Sequence, residues 1–190
     1  MKMWKIAVIA IMIVMVVVLT GVAAMAFIMF DVMSNTATGT EKLTPAGNVA
    51  GKALVVYDPG VTGTAKAAAG TLARELQAEG YVVDLAGVKS ATAADVSGYD
   101  IIVVGGPTYA GNLSGSAKTY LENLKPSADA RIGVFATGSA EPESDDLAYM
   151  VQFVAGPSEN LPQGIKVAMK FVQTDDMDKK CATFVTALLQ

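Results

Sequence analysis

From Gly51 onward, short apolar runs alternate with segments of helical spacing, and few folds accommodate this order. The apolar runs predict five strands, at 53–57, 81–88, 101–106, 131–138 and 165–172. The intervening and closing segments predict helices at 65–78, 114–125, 144–155 and 178–189, with a short helix or turn at 92–97. Continuous runs such as IIVV are typical of parallel strands buried on both faces.

Five strand–helix units leave few arrangements of the sheet. Crossovers between parallel strands are right-handed, which removes most topologies. A closed barrel of this type needs eight strands, and this chain has five. We therefore predict an α/β fold with a parallel doubly wound sheet of order 2-1-3-4-5, whose ligand crevice lies at the carboxyl ends of strands 1, 3 and 4.

The N-terminal segment has a different composition. No charged residue occurs from Ile6 to Phe30, and this run exceeds the roughly 20 residues that cross a bilayer. The apolar cores of signal peptides are shorter, about 7–15 residues, whereas this one continues past a weak cleavage site at 23–26. We predict that residues 1–30 form a single-pass transmembrane anchor in the cell membrane, held by contact with lipid. A signal peptide and a buried helix of a soluble protein are the alternatives.

The segment 31–50 is small and polar, without helical or strand periodicity. It predicts a flexible linker with a root-mean-square span of roughly 25 Å; a structured extension that packs on the domain is the alternative. The predicted organisation is thus an anchor at 1–30, a linker at 31–50 and one domain at 51–190.

Charges on the two sides of the apolar run indicate its orientation. Lys2 and Lys5 precede it, while Asp31, Glu41 and Lys42 follow it. The positive-inside rule then favours an extracytoplasmic domain.

Composition excludes several functions. The chain has no histidine, which excludes Ser-His-Asp and Cys-His catalysis and argues against a transition-metal site. All 18 acidic residues follow residue 30, but only 12 of the 14 basic residues do. This part of the sequence shows no basic patch of the kind that would predict a nucleic-acid partner. Cys181 is the sole cysteine, and its place on the apolar stripe of the last helix indicates a structural thiol.

The loops after the first, third and fourth predicted strands are rich in Gly, Thr, Ser and Pro. They comprise 58–64, 105–112 and 136–143. Glycines let the backbone approach a ligand closely, and hydroxyl and amide groups supply hydrogen-bond donors. Because all three loops converge on one crevice, together they predict a ligand site.

Across residues 52–189 the chain resembles flavodoxins and their flavodoxin-like relatives. The resemblance rests on YDPGVTGT at 57–64, GGPTYAGNLSG at 105–115 and ATGSAEPES at 136–144. It implies noncovalent FMN binding and electron transfer to an unidentified redox partner. The implied cofactor-binding residues are Gly60, Val61, Thr62, Gly63, Thr64 and Lys66 near the phosphate, and Pro107, Thr108, Tyr109, Ala110, Gly111, Asn112, Thr137, Gly138 and Ser139 around the flavin ring. Relatives in this family are usually cytoplasmic, which opposes the orientation given by the charges.

The phosphate loop departs from the family pattern. Pro59, Gly60 and Val61 occupy places where the family has side-chain hydroxyls. Hydrogen bonds to a charged group contribute about 1.5–3 kcal/mol each, so losing two weakens binding roughly 10²-fold or more. Asp58 either repels the phosphate or caps the loop by accepting N–H groups. Lys66 either contacts the phosphate, pairs with Asp58 or is solvated.

Two further features have both a functional and a structural interpretation. Tyr109 can stack on a flavin ring or pack on its own loop. The acidic residues after the fourth strand suit a solvated face, a helix N-terminus or the docking of a basic redox partner; they are Glu141, Glu143, Asp145 and Asp146.

These observations predict a membrane-tethered, flavodoxin-like electron carrier with FMN as its cofactor, no metal and no assigned catalytic residue. One alternative is a flavin-dependent oxidoreductase of the quinone reductase or protoporphyrinogen oxidase type, although no substrate-loop insertion is apparent between the strands. The other is a non-redox binding or scaffold module whose flavin site has decayed, which the Asp58-Pro59-Gly60 departure supports.

Overall fold

The computed structural model describes residues 3–33 and 37–190. Its first element is the helix α1 (Met3–Met33), whose described side chains are exposed. Within it, Val8–Ile28 has a mean hydropathy of 2.9 and enough length to cross a membrane. An N-terminal apolar helix is therefore present, as predicted, and its composition fits an anchor or a signal sequence.

The remaining chain forms one mixed sheet. Its strands are β1 (Thr40–Leu43), β2 (Gly51–Tyr57), β3 (Tyr81–Gly87), β4 (Ile101–Tyr109), β5 (Asn112–Leu113), β6 (Arg131–Thr137) and β7 (Ile165–Phe171). The order is β1-β3-β2-β4-β6-β7, and β5 pairs with β4. The five strands from β3 to β7 in this order are parallel, which confirms the predicted arrangement 2-1-3-4-5.

Helices cover both faces of the sheet. They are α2 (Thr64–Ala78), α3 (Ala91–Ala94), α4 (Gly115–Glu122), α5 (Leu147–Ala155) and α6 (Met177–Leu189). One core layer joins α2 and α6 to the sheet, and the other lies beneath α4 and α5. The central strands are buried by both layers; Ala53 to Val56, for example, are fully buried. This burial explains why these strands appear in the sequence as continuous apolar runs.

Part of the segment predicted as a flexible linker is a strand instead. β1 pairs antiparallel with β3, in the register Thr40 to Ala86 and Leu43 to Val83. Three of its four residues are exposed, so backbone hydrogen bonds rather than buried side chains hold it. The pairing covers the outer edge of β3, which would otherwise present unpaired backbone groups.

Two helices begin or end inside their predicted bounds. α5 begins at Leu147 rather than 144, because the Asp146 carboxylate accepts a hydrogen bond from the Tyr149 N–H at 3.0 Å and caps the helix there. α4 ends at Glu122, three residues before the predicted end.

Two consecutive glycines in β4 allow close approach on both faces of the sheet. A Cβ at Gly105 would overlap the ring of Phe135, and one at Gly106 would lie 2.9 Å from Ser114 Oγ. The glycines therefore let β4 pack against its neighbours just before its carboxyl end, where the predicted ligand loops begin.

Candidate functional site

The loops after β2, β4 and β6 converge on a cleft of about 320 Å³ at the carboxyl ends of the strands. Nine of the predicted cofactor-binding residues line it: Val61, Thr62, Thr64, Pro107, Thr108, Tyr109, Thr137, Gly138 and Ser139. The strand order brings these residues together although the chain separates them by up to 78 positions between Val61 and Ser139. The crevice therefore lies where the topology predicts it.

Two lining residues were not predicted. Phe171 and Gln173 reach the cleft from the end of β7. Phe171 is 1% exposed and its ring lies edge-on to Phe135, with the centroids 6.0 Å apart. The apolar residues around Phe171 in β7 predict only that its side chain is part of the core. Its position at the carboxyl end of a strand is the one signal that could have indicated a place in the cleft.

Asp58 faces the protein interior. It is fully buried, and its carboxylate accepts hydrogen bonds from the Gly60 N–H at 3.0 Å, from Ser114 Oγ at 2.7 Å and from Ser116 Oγ. Of the two predicted roles, the loop cap is therefore correct and a carboxylate aimed at a phosphate is wrong. The two serine hydroxyls tie the loop after β2 to the start of α4.

The backbone donors of the loop after β2 are partly used within the protein. The Gly60 N–H is held by Asp58, and the Val61 N–H donates to the Tyr109 hydroxyl at 3.3 Å. Gly60 itself has a φ of 62°, and a Cβ there would clash with Pro107. The loop thus packs directly on the loop after β4, and Gly60 shapes it without lining the cleft.

The N-terminus of α2 opens beside the cleft. Gly63 is its N-cap residue, with a φ of 74° and no side chain to cap the helix, and the Thr64 N–H donates to Thr62 Oγ1 at 3.4 Å. The Thr62 and Thr64 hydroxyls lie 3.0 Å apart and both residues line the cleft. The N–H groups of a first helical turn together with two hydroxyls are a donor set that suits an anion.

Lys66 lies on the exposed side of the first turn of α2, outside the cleft lining. The predicted pairing with Asp58 is wrong, because that carboxylate is buried and occupied by serine hydroxyls. The Lys66 side chain is exposed, and its contact with a phosphate stays a prediction.

Tyr109 joins two of the loops. Its ring lines the cleft and is half-buried, and its hydroxyl accepts from Val61. The two residues after it form the tip of the β4–β5 hairpin, where Ala110 has a φ of 49° and Gly111 a φ of 81°. Positive values at both positions are typical of a type I′ turn. Ala110, Gly111 and Asn112 are exposed and lie outside the cleft lining.

A buried lysine lies behind the cleft wall, and sequence reasoning missed it. Lys170 in β7 is 2% exposed, and its Nζ donates to Thr108 Oγ1 at 2.6 Å. Thr108 in turn donates to the Thr137 carbonyl at 3.1 Å. The ammonium also lies 5.6 Å from the centre of the Phe153 ring. Burial lowers the pKa of Lys170 from 10.5 to about 8.

Lys170 contacts the cleft through two of its lining residues. Besides its bond to Thr108, a Cβ at Gly138 would lie 3.0 Å from Lys170 Nζ. Among the described residues, neither of the two ion pairs includes Lys170. A cationic group without a carboxylate partner therefore lies one side chain away from the cleft.

The remaining predicted features are structural or solvent-exposed. Cys181 is fully buried in α6, and burial raises the pKa of its thiol to about 12. Glu141, Glu143, Asp145 and Asp146 are exposed beside the cleft.

The cleft residues offer the chemistry that a flavin phosphate needs, namely apolar surface for a ring and donors for a phosphate. Tyr109, Pro107 and Phe171 offer apolar surface, while the Thr62 and Thr64 hydroxyls lie at the helix start where a phosphate is favoured. Gly138 lets Thr108 and Lys170 pack closely against the backbone of this wall, because a Cβ there would clash with Thr108 Oγ1.

The sheet order and the position of this cleft define a flavodoxin-like α/β domain. A family model described as a flavodoxin domain matches residues 54–186, so the chain belongs to the flavodoxin domain family. No curated protein matches the sequence.

Solved structures share the fold. Oxidised flavodoxin 2 from Bacillus cereus is 25% identical, with a TM-score of 0.50, covering 73% of this chain and 97% of that one. Rubredoxin oxygen:oxidoreductase from the anaerobe Desulfovibrio gigas is 21% identical with a TM-score of 0.50, covering 74% of this chain and 36% of that one. The fold of a flavodoxin is thereby established for residues that include the whole cleft.

Proposed function

We propose that the protein is a membrane-tethered flavodoxin that binds FMN in this cleft and transfers electrons to or from a membrane-associated partner. The observation that carries the proposal is the convergence of three Gly- and Thr-rich loops on one cleft at the carboxyl ends of β2, β4 and β6. The membership in the flavodoxin domain family supports FMN as the ligand.

The flavin ring would lie between the loops after β4 and β6. Tyr109 supplies an aromatic face, and Thr137, Gly138 and Ser139 line the opposite wall. Bound FMN supplies the electron-transfer chemistry, and the protein supplies binding and orientation.

The phosphate would lie at the start of α2. The helix dipole and the N–H groups of the first turn favour an anion there, and the hydroxyls of Thr62 and Thr64 add donors. Because Asp58 points into the interior, its charge does not line this part of the cleft. The Asp-Pro-Gly departure therefore removes donors without placing a carboxylate against the phosphate.

The apolar helix α1 supports tethering. An anchored domain meets partners in the same membrane at a raised effective concentration. We accordingly assign residues 1–30 to the anchor and 51–190 to the flavodoxin domain, with β1 as an additional edge strand. The side of the membrane stays a prediction from the flanking charges.

Titration of the detergent-solubilised full chain with FMN, followed by flavin fluorescence and absorbance, tests the proposal. We expect saturable quenching and a perturbed visible spectrum. Thr64→Ala should weaken binding by about 10- to 100-fold, the equivalent of one hydrogen bond to a charged group. Thr119→Ala, an exposed threonine on α4 outside this cleft, is the matched control and should bind normally.

A second pair of variants tests the ring position. Tyr109→Phe keeps the aromatic face and should retain FMN, whereas Tyr109→Ala should lose affinity. If the full chain shows no saturable change up to about 100 μM FMN, equivalent to binding weaker than about 5.5 kcal/mol, the cleft is not a flavin site and a non-redox binding module is favoured.

A further inference from the structure

The chain enters the flavodoxin domain at the end of the sheet that carries the cleft. The Ala37 carbonyl accepts from the Lys89 N–H at 3.0 Å, and the Gly39 carbonyl accepts from the Gly87 N–H at 2.9 Å. Gly87 is the last residue of β3. Because β3 runs parallel to β2, this position is at the same edge of the sheet as the loop after β2.

The distance between the apolar helix and this entry point is short. From Ile28, where the apolar window ends, α1 continues for five residues, a rise of about 8 Å. Four Cα steps then separate Met33 from Ala37, at most about 15 Å. The headgroup layer takes up about 5–7 Å of this length, so Ala37 lies within roughly 20 Å of the membrane surface when α1 spans the bilayer.

The diameter of the domain exceeds the maximum distance between Ala37 and the membrane surface. A domain of the size of residues 37–190 has a radius of gyration of about 15 Å and hence a diameter of roughly 38 Å. If the end opposite the cleft rested on the membrane, Ala37 would stand about a full diameter above it. The covalent connection does not allow that orientation.

We propose that the tethered domain holds its cleft end toward the membrane surface and therefore exchanges electrons with an integral membrane protein rather than with a soluble one. The proposal rests on the anchoring and FMN binding proposed above. It adds the direction in which the site faces and the class of partner that can reach it.

Charges at the cleft end indicate the chemistry of the partner surface. The exposed loop after β6 carries Glu141, Glu143, Asp145 and Asp146, which anionic lipid headgroups would repel. A basic surface of an integral membrane protein, exposed on the same side of the membrane as the domain, is complementary to this loop. Val61, 50% exposed, and Leu147, 42% exposed, add apolar contact area at the same end.

Distance measurements on the reconstituted full chain test the orientation. Cys181 is buried, so a thiol-reactive dye labels an introduced cysteine selectively. Glu141→Cys and Asp129→Cys place the dye on exposed residues at opposite ends of β6 and remove the same charge. β6 alone separates the two positions by about 20 Å.

Energy transfer to acceptor-labelled lipid in phosphatidylcholine vesicles should place position 141 about 20 Å closer to the membrane than position 129. Equal distances, or a shorter distance for position 129, would overturn the proposal. Insertion of 20 Gly/Ser residues before Ala37 adds a span of about 25 Å and should abolish the difference.

Access of a soluble basic redox protein tests the partner class. Cytochrome c serves as the probe, and its reduction by the FMN-loaded, reduced chain in vesicles is followed by absorbance. We expect faster reduction with the Gly/Ser insertion than with the native chain, and equal rates would contradict occlusion by the membrane. Flotation with vesicles and FMN fluorescence report anchoring and cofactor binding separately, so failure of either is distinguished from a wrong orientation.

Discussion

Replacing Lys170 by methionine should stabilise the domain at neutral pH and remove part of its pH dependence. The folded state lowers the pKa of this ammonium from 10.5 to about 8, because burial disfavours the charged form. Between these values the unfolded chain binds more protons than the folded chain, so the free energy of unfolding rises with pH. The penalty of the buried charge is fully present below pH 8 and is lost as the pH rises toward 10.5.

The size of the effect follows from the shift. At 1.36 kcal/mol per pKa unit, the buried charge costs about 3 kcal/mol at pH 7.5. Methionine removes this cost but also the hydrogen bond from the ammonium to Thr108, worth about 1.5 kcal/mol. We therefore expect Lys170→Met to raise the free energy of unfolding by about 1.5 kcal/mol at pH 7.5. Its advantage should be lost between pH 7.5 and 9.5, because the cost of the buried charge shrinks by about 2 kcal/mol over this range.

Pulse proteolysis of the detergent-solubilised chain across a urea series measures both quantities. The buried Cys181 thiol, whose pKa is raised, lowers stability above pH 9 in wild type and variant alike, so its contribution cancels in the difference. Lys166→Met is the matched control, since Lys166 is exposed on the same strand; it should change stability by less than about 0.5 kcal/mol. A Lys170→Met variant no more stable than wild type at pH 7.5, or a difference that does not change with pH, would refute the reasoning.

Three further outcomes are expected from the same preparation. Asp58→Ala should destabilise the domain by about 3 kcal/mol, because it leaves the buried Ser114 hydroxyl and the half-buried Ser116 hydroxyl without their acceptor; a loss of unfolding free energy below about 1 kcal/mol in the urea series would contradict this network. Ala110→Gly should stabilise by about 1 kcal/mol, since φ is 49° at this position, and an unchanged midpoint would argue against the turn. Iodoacetamide should modify Cys181 at pH 8 only after urea unfolding, as mass spectrometry would show, because the thiol is buried with a pKa of about 12; rapid labelling of the native chain would place the thiol at the surface.

The central fold was predictable because burial on two faces leaves a simple pattern. Strands such as β2 and β4 need apolar residues at every position, so IIVV and ALVVY identify them without any tertiary information. Strand order then follows from the handedness of crossovers. The edge strand β1 has no such pattern, because three of its residues are exposed and its partner is recognised through backbone groups.

The position of the cleft was predictable from the sequence, but the directions of the charged side chains around it were not. Loop composition and strand order located the three walls. Asp58 turns inward because of Ser114 and Ser116, which lie more than 50 positions away in the chain. Lys170 reaches Thr108 across a similar separation. Such pairings arise only when the sheet is assembled, so no local pattern in the sequence records them.

The adjacent glycines Gly105 and Gly106 of β4 limit which substitutions the chain tolerates. At Gly105 any side chain meets the ring of Phe135, and at Gly106 it meets Ser114 on the opposite face. Saturation mutagenesis should therefore reveal two neighbouring positions that accept no replacement, for unrelated reasons. A compensating change at Phe135 would rescue only the first of them. Any redesign of the cleft thus has to preserve this pair and vary the residues beyond it.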